Sequence, residues 1–301
     1  MAGWIYTAVI GMNMGSKLQS ATEYLMTYGW AILVIAVVLG VLYSLGIFSP
    51  SNFAPKASPG SCQVFRPNGP GTNYDINLEG VCSGELPQYV AQFDRTGYVT
   101  VANSLMLNPT QTVTVSFWMN TFSATGAGQF PVMVGKHINS QYFMYMNPNS
   151  LEIIWSIITP NGQAWITVTP SATLNKWQYY TGTYNSSANS IYTYVNGVQA
   201  YKGTLSGNMS FNNANGDLFI GMAGNASFSI ANVQIYNASL TANDVSALYN
   251  EGIGGVPTDL QHLIGWWPLN GNAEDYSGNN NDGVPYDVRY SATWQGEYVS
   301  P

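Results

Sequence analysis

Apolar positions along this chain fall into two regimes. From Tyr24 to Phe48 no residue is charged and nearly all are apolar. At 1.5 Å per residue such a run exceeds the roughly 30 Å hydrocarbon core of a bilayer, so the pattern predicts a hydrophobic α-helix over 19–48. Ala36, Gly40 and Ser44 stand four apart, a stripe of small residues that lets another helix approach closely. Pro50, Pro55 and Pro59 end the helix and stiffen its exit. Residues 49–86 then read as a Pro- and Gly-rich neck with too little apolar content to fold by burial.

From about Leu86 the period drops to two. The stretch TVTVSFWMN, Thr112 to Asn120, alternates tightly, and SLEIIWSIITPNGQAWITV reads as two strands around Pro160-Asn161-Gly162. KWQYYTGTYN follows, and then IYTYVNGVQAY, which folds back across Asn196-Gly197, a strong short hairpin signal. One short helix is expected at Thr241 to Asn250, where Asn243-Asp244 precede VSALYN. Strands recurring about every ten residues with turn chemistry between them predict an all-β jelly-roll sandwich over 87–301.

Composition sharpens this picture. Only 8% of residues are charged and the formal net charge is −7, against roughly 25% charged in an average soluble domain. No basic stripe exists to neutralise phosphates, which excludes nucleic acid as a partner. A surface rich in Asn, Ser, Thr, Gly and Tyr suits an extracellular β domain. Asn185, Asn208, Asn225 and Asn237 each open an N-x-S/T sequon and are candidate N-glycosylation sites. The two cysteines, Cys62 and Cys82, both fall in the neck. An oxidising exterior and an even count favour a disulfide between them, two free buried thiols being the alternative. With His137 and His262 the only histidines, no zinc site is expected.

The junction Lys17-Leu18-Gln19-Ser20-Ala21-Thr22-Glu23 places a processable polar segment ahead of the apolar run, the reverse of an ordinary secretory signal. Together with QSATEYLMTYGWAILVIAVVLGVLYSLGIF it resembles the class III leader and N-terminal helix of archaeal type IV pilin-like proteins. The resemblance implies a leader over 1–18, cut by a prepilin peptidase, with Gln19 the first mature residue and Glu23 the fifth. It also implies a membrane or filament-core helix and other pilin subunits as partners. Glu23 would meet a neighbouring subunit's free amine during assembly, or else sit in the headgroup region, where the helix dipole favours an anion. Leu18 departs from the Gly or Ala of many such leaders. Residues 1–13 are set aside, because Met12 and Met14 each offer a more ordinary start.

A second resemblance covers about 88–252. AQFDRTGYVTVANS, VSFWM, KWQYYTGTY, IYTYVNGVQ, LFIGM and IANVQIYNASLTANDVSALYNEG are similar, in that order, to a laminin-G-like, concanavalin A-like jelly roll. That fold hosts lectin-like binders, adhesion modules and some glucan hydrolases. The segment Leu263 to Val288 resembles one that opens such domains, whereas here it comes last. A circular permutation would explain the order, with 263–288 closing the sheet and burying Trp266 or Trp267; donation of the strand to a neighbouring subunit is the alternative.

The residues speak against catalysis. A retaining glycoside hydrolase needs two carboxylates about 5 Å apart, which a strand supplies at alternate positions. Glu152 is the only acid between Asp94 and Asp217, so no enzymatic activity is expected. Binding is a different matter. Tyr142, Tyr145, Trp155, Trp165, Tyr192 and Tyr194 lie on expected strands that could present rings to a sugar, Trp155 and Trp165 foremost, or else fill the core. Trp118 and Trp177 are assigned to the core outright. Asn272, Asp275, Asn280 and Asp282 supply oxygen donors, which makes Asp275 and Asp282 calcium candidates, although an Asn/Asp/Gly turn needs no ion. The sequence reads as a pilin-like surface protein, membrane-anchored or in a filament, whose head binds extracellular glycan or surface ligands. The alternatives are a lectin-like membrane protein that never polymerises and a glycan hydrolase.

Overall fold

The computed structural model describes residues 28–41, 62–65, 73–76, 86–125, 130–136, 141–210, 216–294, 298–299 and 301. The chain divides into two units, Met1–Pro55 and Lys56–Pro301. In the first, residues 28–41 form α1. Its apolar side chains are exposed all round, Trp30 at 73% and Ile32 at 65% among them; such a helix is normally buried in something. Among the described residues no helix is long and apolar enough to cross a membrane. Most of the helix expected over 19–48 is therefore not in view, and Leu18, Gln19 and Glu23 lie outside the described residues.

In the second unit β1 (Cys62–Phe65) and β2 (Asn73–Ile76) pair as a two-stranded antiparallel sheet. The expected disulfide lies outside the described residues, since only the backbone of Cys62 is described and Cys82 is not.

Thirteen further strands build the sandwich: β3 (Val90–Val101), β4 (Thr112–Ala124), β5 (Val132–Lys136), β6 (Tyr142–Met146), β7 (Ile153–Thr159), β8 (Gly162–Val168), β9 (Trp177–Asn185), β10 (Ser190–Val195), β11 (Val198–Thr204), β12 (Leu218–Met222), β13 (Ala226–Tyr236), β14 (Leu263–Trp267) and β15 (Gly283–Ser291). The first layer runs β11-β10-β9-β4-β13 and the second β12-β5-β6-β7-β8, with β3 joining them. β12 and β13 lie end to end along β3, Leu218 opposite Val101 and Ser227 opposite Asp94. Between these two stretches of β3 the chain passes through Arg95 at a φ of 44°. Phe93, Phe117, Met144, Trp155, Tyr180 and Trp267 are fully buried between the layers.

The hairpin at Asn196-Gly197 forms as its chemistry requires, both residues having positive φ, 50° and 75°. The helix α2 (Ala242–Asn250) is capped by Thr241, which accepts from the Asp244 N–H while the Asp244 carboxylate accepts from Thr241 N–H at 2.9 Å. Asp244 thus lies inside the first turn rather than ahead of the helix.

The outer face of the first layer is buried too. Trp118, Tyr179, Tyr236 and Trp266 pack beneath Val245 and Leu248 of α2, Ile253 of the following connector, and Trp294. This is why β4 is buried at every position from Val113 to Thr121, in place of the alternation its sequence suggests. Trp118 and Trp177 are buried as assigned, but in this outer cluster rather than between the layers. At the C-terminal end β14 pairs with β13 from Val233 to Tyr236, and β15 pairs with β3 over Val90–Phe93 and Tyr98–Val101. One tryptophan was expected to be buried there, and both are. Trp267 enters the central core and donates to the Asn281 carbonyl at 2.9 Å. Trp266 enters the outer cluster and donates to Asn232 Oδ1 at 2.8 Å.

Candidate functional site: an aromatic row on the second layer

The outward side of the second layer differs from that of the first. Register fixes which side chains share it. Phe143 stands opposite Ser156, which stands opposite Trp165; one row along, Val132 faces Tyr145 and Tyr145 faces Ile154. Ser156 is small, so Phe143 and Trp165 lean over it until their ring centroids are 5.9 Å apart at 82°. Tyr145 meets Trp165 edge-on at 5.7 Å and 89°, and Phe130 meets Tyr145 at 5.6 Å. Gln163 donates to the Ser156 hydroxyl at 2.9 Å and holds the floor of this group. Burial raises the pKa of the Tyr145 phenol, which keeps it a proton donor at neutral pH.

The row continues across the sheet. Gly135 sits between Phe143 and Phe219, and a Cβ there would lie 2.4 Å from Phe143, so only glycine lets these strands approach. Phe219 meets Tyr98 at 6.0 Å, and Tyr98 stacks on Tyr286 at 5.1 Å and 26°. Three of these rings are open to solvent: Trp165 at 49%, Phe130 at 48% and Tyr286 at 58%. The side chains among them, Thr100, Ile154, Ser156, Gln163 and Thr167, carry no charge. Such a face can stack on apolar C–H surfaces and offers hydroxyl and amide groups for hydrogen bonding.

Of the two foremost stacking candidates, the structure places Trp165 in this row and Trp155 elsewhere. Trp155 is fully buried, its Nε1 donating to the Thr183 carbonyl at 3.4 Å, so it presents no ring to a ligand. Tyr142 is likewise core, and Tyr194 lies in the outer cluster of the first layer, with the partly buried Tyr192 packed against that cluster. Phe130, Tyr98, Phe219 and Tyr286 belong to the row and were not anticipated from the sequence.

Of the calcium candidates, Asp275 is committed to internal hydrogen bonds and Asp282 is exposed. The Asp275 carboxylate is fully buried, and both its oxygens already accept: Oδ1 from the Trp266 and Ser277 N–H groups, and Oδ2 from the Ser277 hydroxyl and the Asn281 N–H, all at 2.9 Å. Asp282 Oδ1 accepts from the Asp275 N–H. Asp275 is instead the hub that ties β14 to the turn behind it. Among the described residues no group of three or more His, Cys, Asp or Glu is placed to hold a metal. The Glu152 carboxylate accepts from the Ser150 hydroxyl at 2.8 Å. Among the sequons, Asn208 and Asn237 are exposed, whereas Asn185 and Asn225 are half-buried.

A solved structure shares this fold. A candidate carbohydrate-binding protein from Bacteroides ovatus superposes with a TM-score of 0.54 at 15% identity, covering 68% of this chain and 60% of its own. The binding domain of Paraclostridial mosquitocidal protein 1 gives 0.46 at 16% identity, covering 54% and 43%. A native heptameric SAP-like pentraxin from Limulus polyphemus gives 0.44 at 12%, covering 67% and 94%. The chain thus spans 60% of the length of the Bacteroides protein. Among curated protein sequences none is significantly similar. Residues 93–246 match the profile of the concanavalin A-like lectin/glucanases superfamily (Laminin_G_3); with slightly more than half of its length matched, the chain belongs to that superfamily.

Proposed function

We propose that this chain is a pilin-like surface protein whose jelly roll binds glycan, or another ligand displayed on a surface, through the aromatic row of the second layer. A prepilin peptidase cuts between Leu18 and Gln19, the apolar helix anchors or polymerises, and the head works outside the cell. The observation that carries the binding half is Trp165. Its indole is half-exposed, yet braced edge-on by Phe143 and Tyr145 among uncharged neighbours. A pre-oriented ring costs little ordering entropy when a sugar face stacks on it. The lectin members of the superfamily and the description of the Bacteroides protein are in keeping with this reading. The pilin half is supported by the junction Lys17 to Glu23 and by α1, apolar on every side. Binding without turnover is the reading, because Glu152 has no second carboxylate near it in sequence and its hydrogen bond goes to Ser150.

The test is binding of the full chain to a panel of immobilised glycans. Trp165→Ala should abolish binding while leaving the melting temperature within a degree or two of wild type. Undiminished binding by that variant would overturn the site.

A further inference from the structure

Lys136 is an anomaly in a chain this poor in charge. It ends β5 in register with Leu218, which faces Val101, and both of these are core residues. Its side chain therefore runs inward, and only 2% of it is exposed. Nζ lies 2.7 Å from Asn103 Oδ1 and 3.0 Å from the Gly216 carbonyl, both uncharged acceptors. Burying an ammonium against neutral amides is costly. The Asn103 amide oxygen also accepts from Asn108 Nδ2 at 3.0 Å. Asp217 is held against the same residue, its Oδ1 accepting the Asn103 N–H at 3.0 Å. A buried amine and an amide carbonyl polarised by a second donor thus meet at one end of the core, with the exposed Asp217 carboxylate on the backbone N–H of the same asparagine.

We propose that Lys136 and Asn103 join in an intramolecular isopeptide bond. The neutral amine attacks Asn103 Cγ, and the charge developing on Oδ1 is held by Asn108 Nδ2. The proton lost from Nζ passes to the Asn103 Nδ2, which leaves as ammonia, and Asp217, the carboxylate that accepts the Asn103 N–H, is the group assigned to relay it. One C–N bond forms, one breaks, and no oxidant or reductant is needed. Burial raises the share of neutral amine: desolvation lowers the lysine pKa to about 8 although Asp217 pulls the other way. The product replaces a buried cation with a neutral amide and ties the loop after β3 to the end of β5.

Trypsin reads the outcome directly in the full-length protein. Without the bond, cleavage after Lys136 separates 96–136 from 137–176, since Arg95 and Lys176 are the flanking sites. With it, Lys136 resists trypsin and a single 96–176 peptide appears, lighter by one ammonia. Lys136→Arg should restore both the cut and the lost mass. Asp217→Ala, at an exposed position, should leave the fold intact and the two peptides separate. Complete cleavage after Lys136 in the wild type, with full mass, would overturn the proposal. A linked peptide in Asp217→Ala would overturn the role given to the carboxylate.

Discussion

A Cβ on Gly182 would lie 2.5 Å from the indole of Trp155: a tryptophan of the second layer rests directly on the backbone of the first. The two positions form one joint between the layers. Gly182→Ala forces the ring or the strand to move and should cost about 1–3 kcal/mol. Trp155→Ala empties the joint and should cost about 3–5 kcal/mol. Urea titration of each variant checks both values, and a Gly182→Ala protein as stable as wild type would show that the layers slide apart freely.

Asp275 governs the closing strand. Asp275→Asn keeps the shape but turns an NH2 toward donors at Ser277 or Asn281, and should cost about 1–3 kcal/mol. Burial pushes the Asp275 carboxyl above the usual carboxylate range, against its hydrogen bonds from Trp266, Ser277 and Asn281. A group with a raised folded-state pKa is protonated more readily in the native state, so its contribution to stability falls as pH rises from the ordinary value through the raised one. The gap between wild type and Asp275→Asn should therefore widen as pH is lowered from about 7 to about 4. Calcium or a chelator should leave the melting temperature unchanged, because the carboxylate has no acceptor capacity to spare.

Removing residues 262–301 takes away both strands that finish the sandwich and uncovers β3 over Val90–Phe93 and Tyr98–Val101. A chain ending at Gln261 should melt without cooperativity, and the 262–301 peptide added in trans should restore a sharp transition. A truncated chain that melts like the full one would make the segment an appendage.

Surface protein should begin at Gln19 by mass spectrometry, and Glu23→Ala should impair filament assembly more than membrane insertion. A mature start beyond residue 48 would mean an ordinary signal peptide and would sink the pilin reading.

Much of the fold was legible because local chemistry decided it. Asn196-Gly197 can adopt two successive positive φ values at low cost, and Thr241 and Asp244 have the spacing of a capping box. Which of the two candidates Trp155 and Trp165 faces outward was readable from the turn. Thr159 pairs with Gly162 around a two-residue turn, so Ser156, not Trp155, stands opposite Trp165. The two indoles must then face opposite ways, and only one can be outside. The rest of the row could not be found this way. Tyr98, Phe219 and Tyr286 come together across strands far apart in sequence, and such pairing is set by tertiary register. Alternation also failed in β4 and β9, where the cover provided by α2 and the C-terminal residues buries both faces.

β3 has a neighbour on each side over both of its paired stretches: β12 and then β13 along one edge, β15 along the other. It is also the strand by which the chain enters the sandwich, at Val90. A tensile load arriving from the neck would pull along the strand axis and stress the flanking backbone hydrogen bonds in shear, all at once, rather than peel them one by one. Antiparallel ladders loaded in that direction share the force among many bonds. A load carried along β3 would therefore meet the joint resistance of both ladders before the strand could leave the sheet.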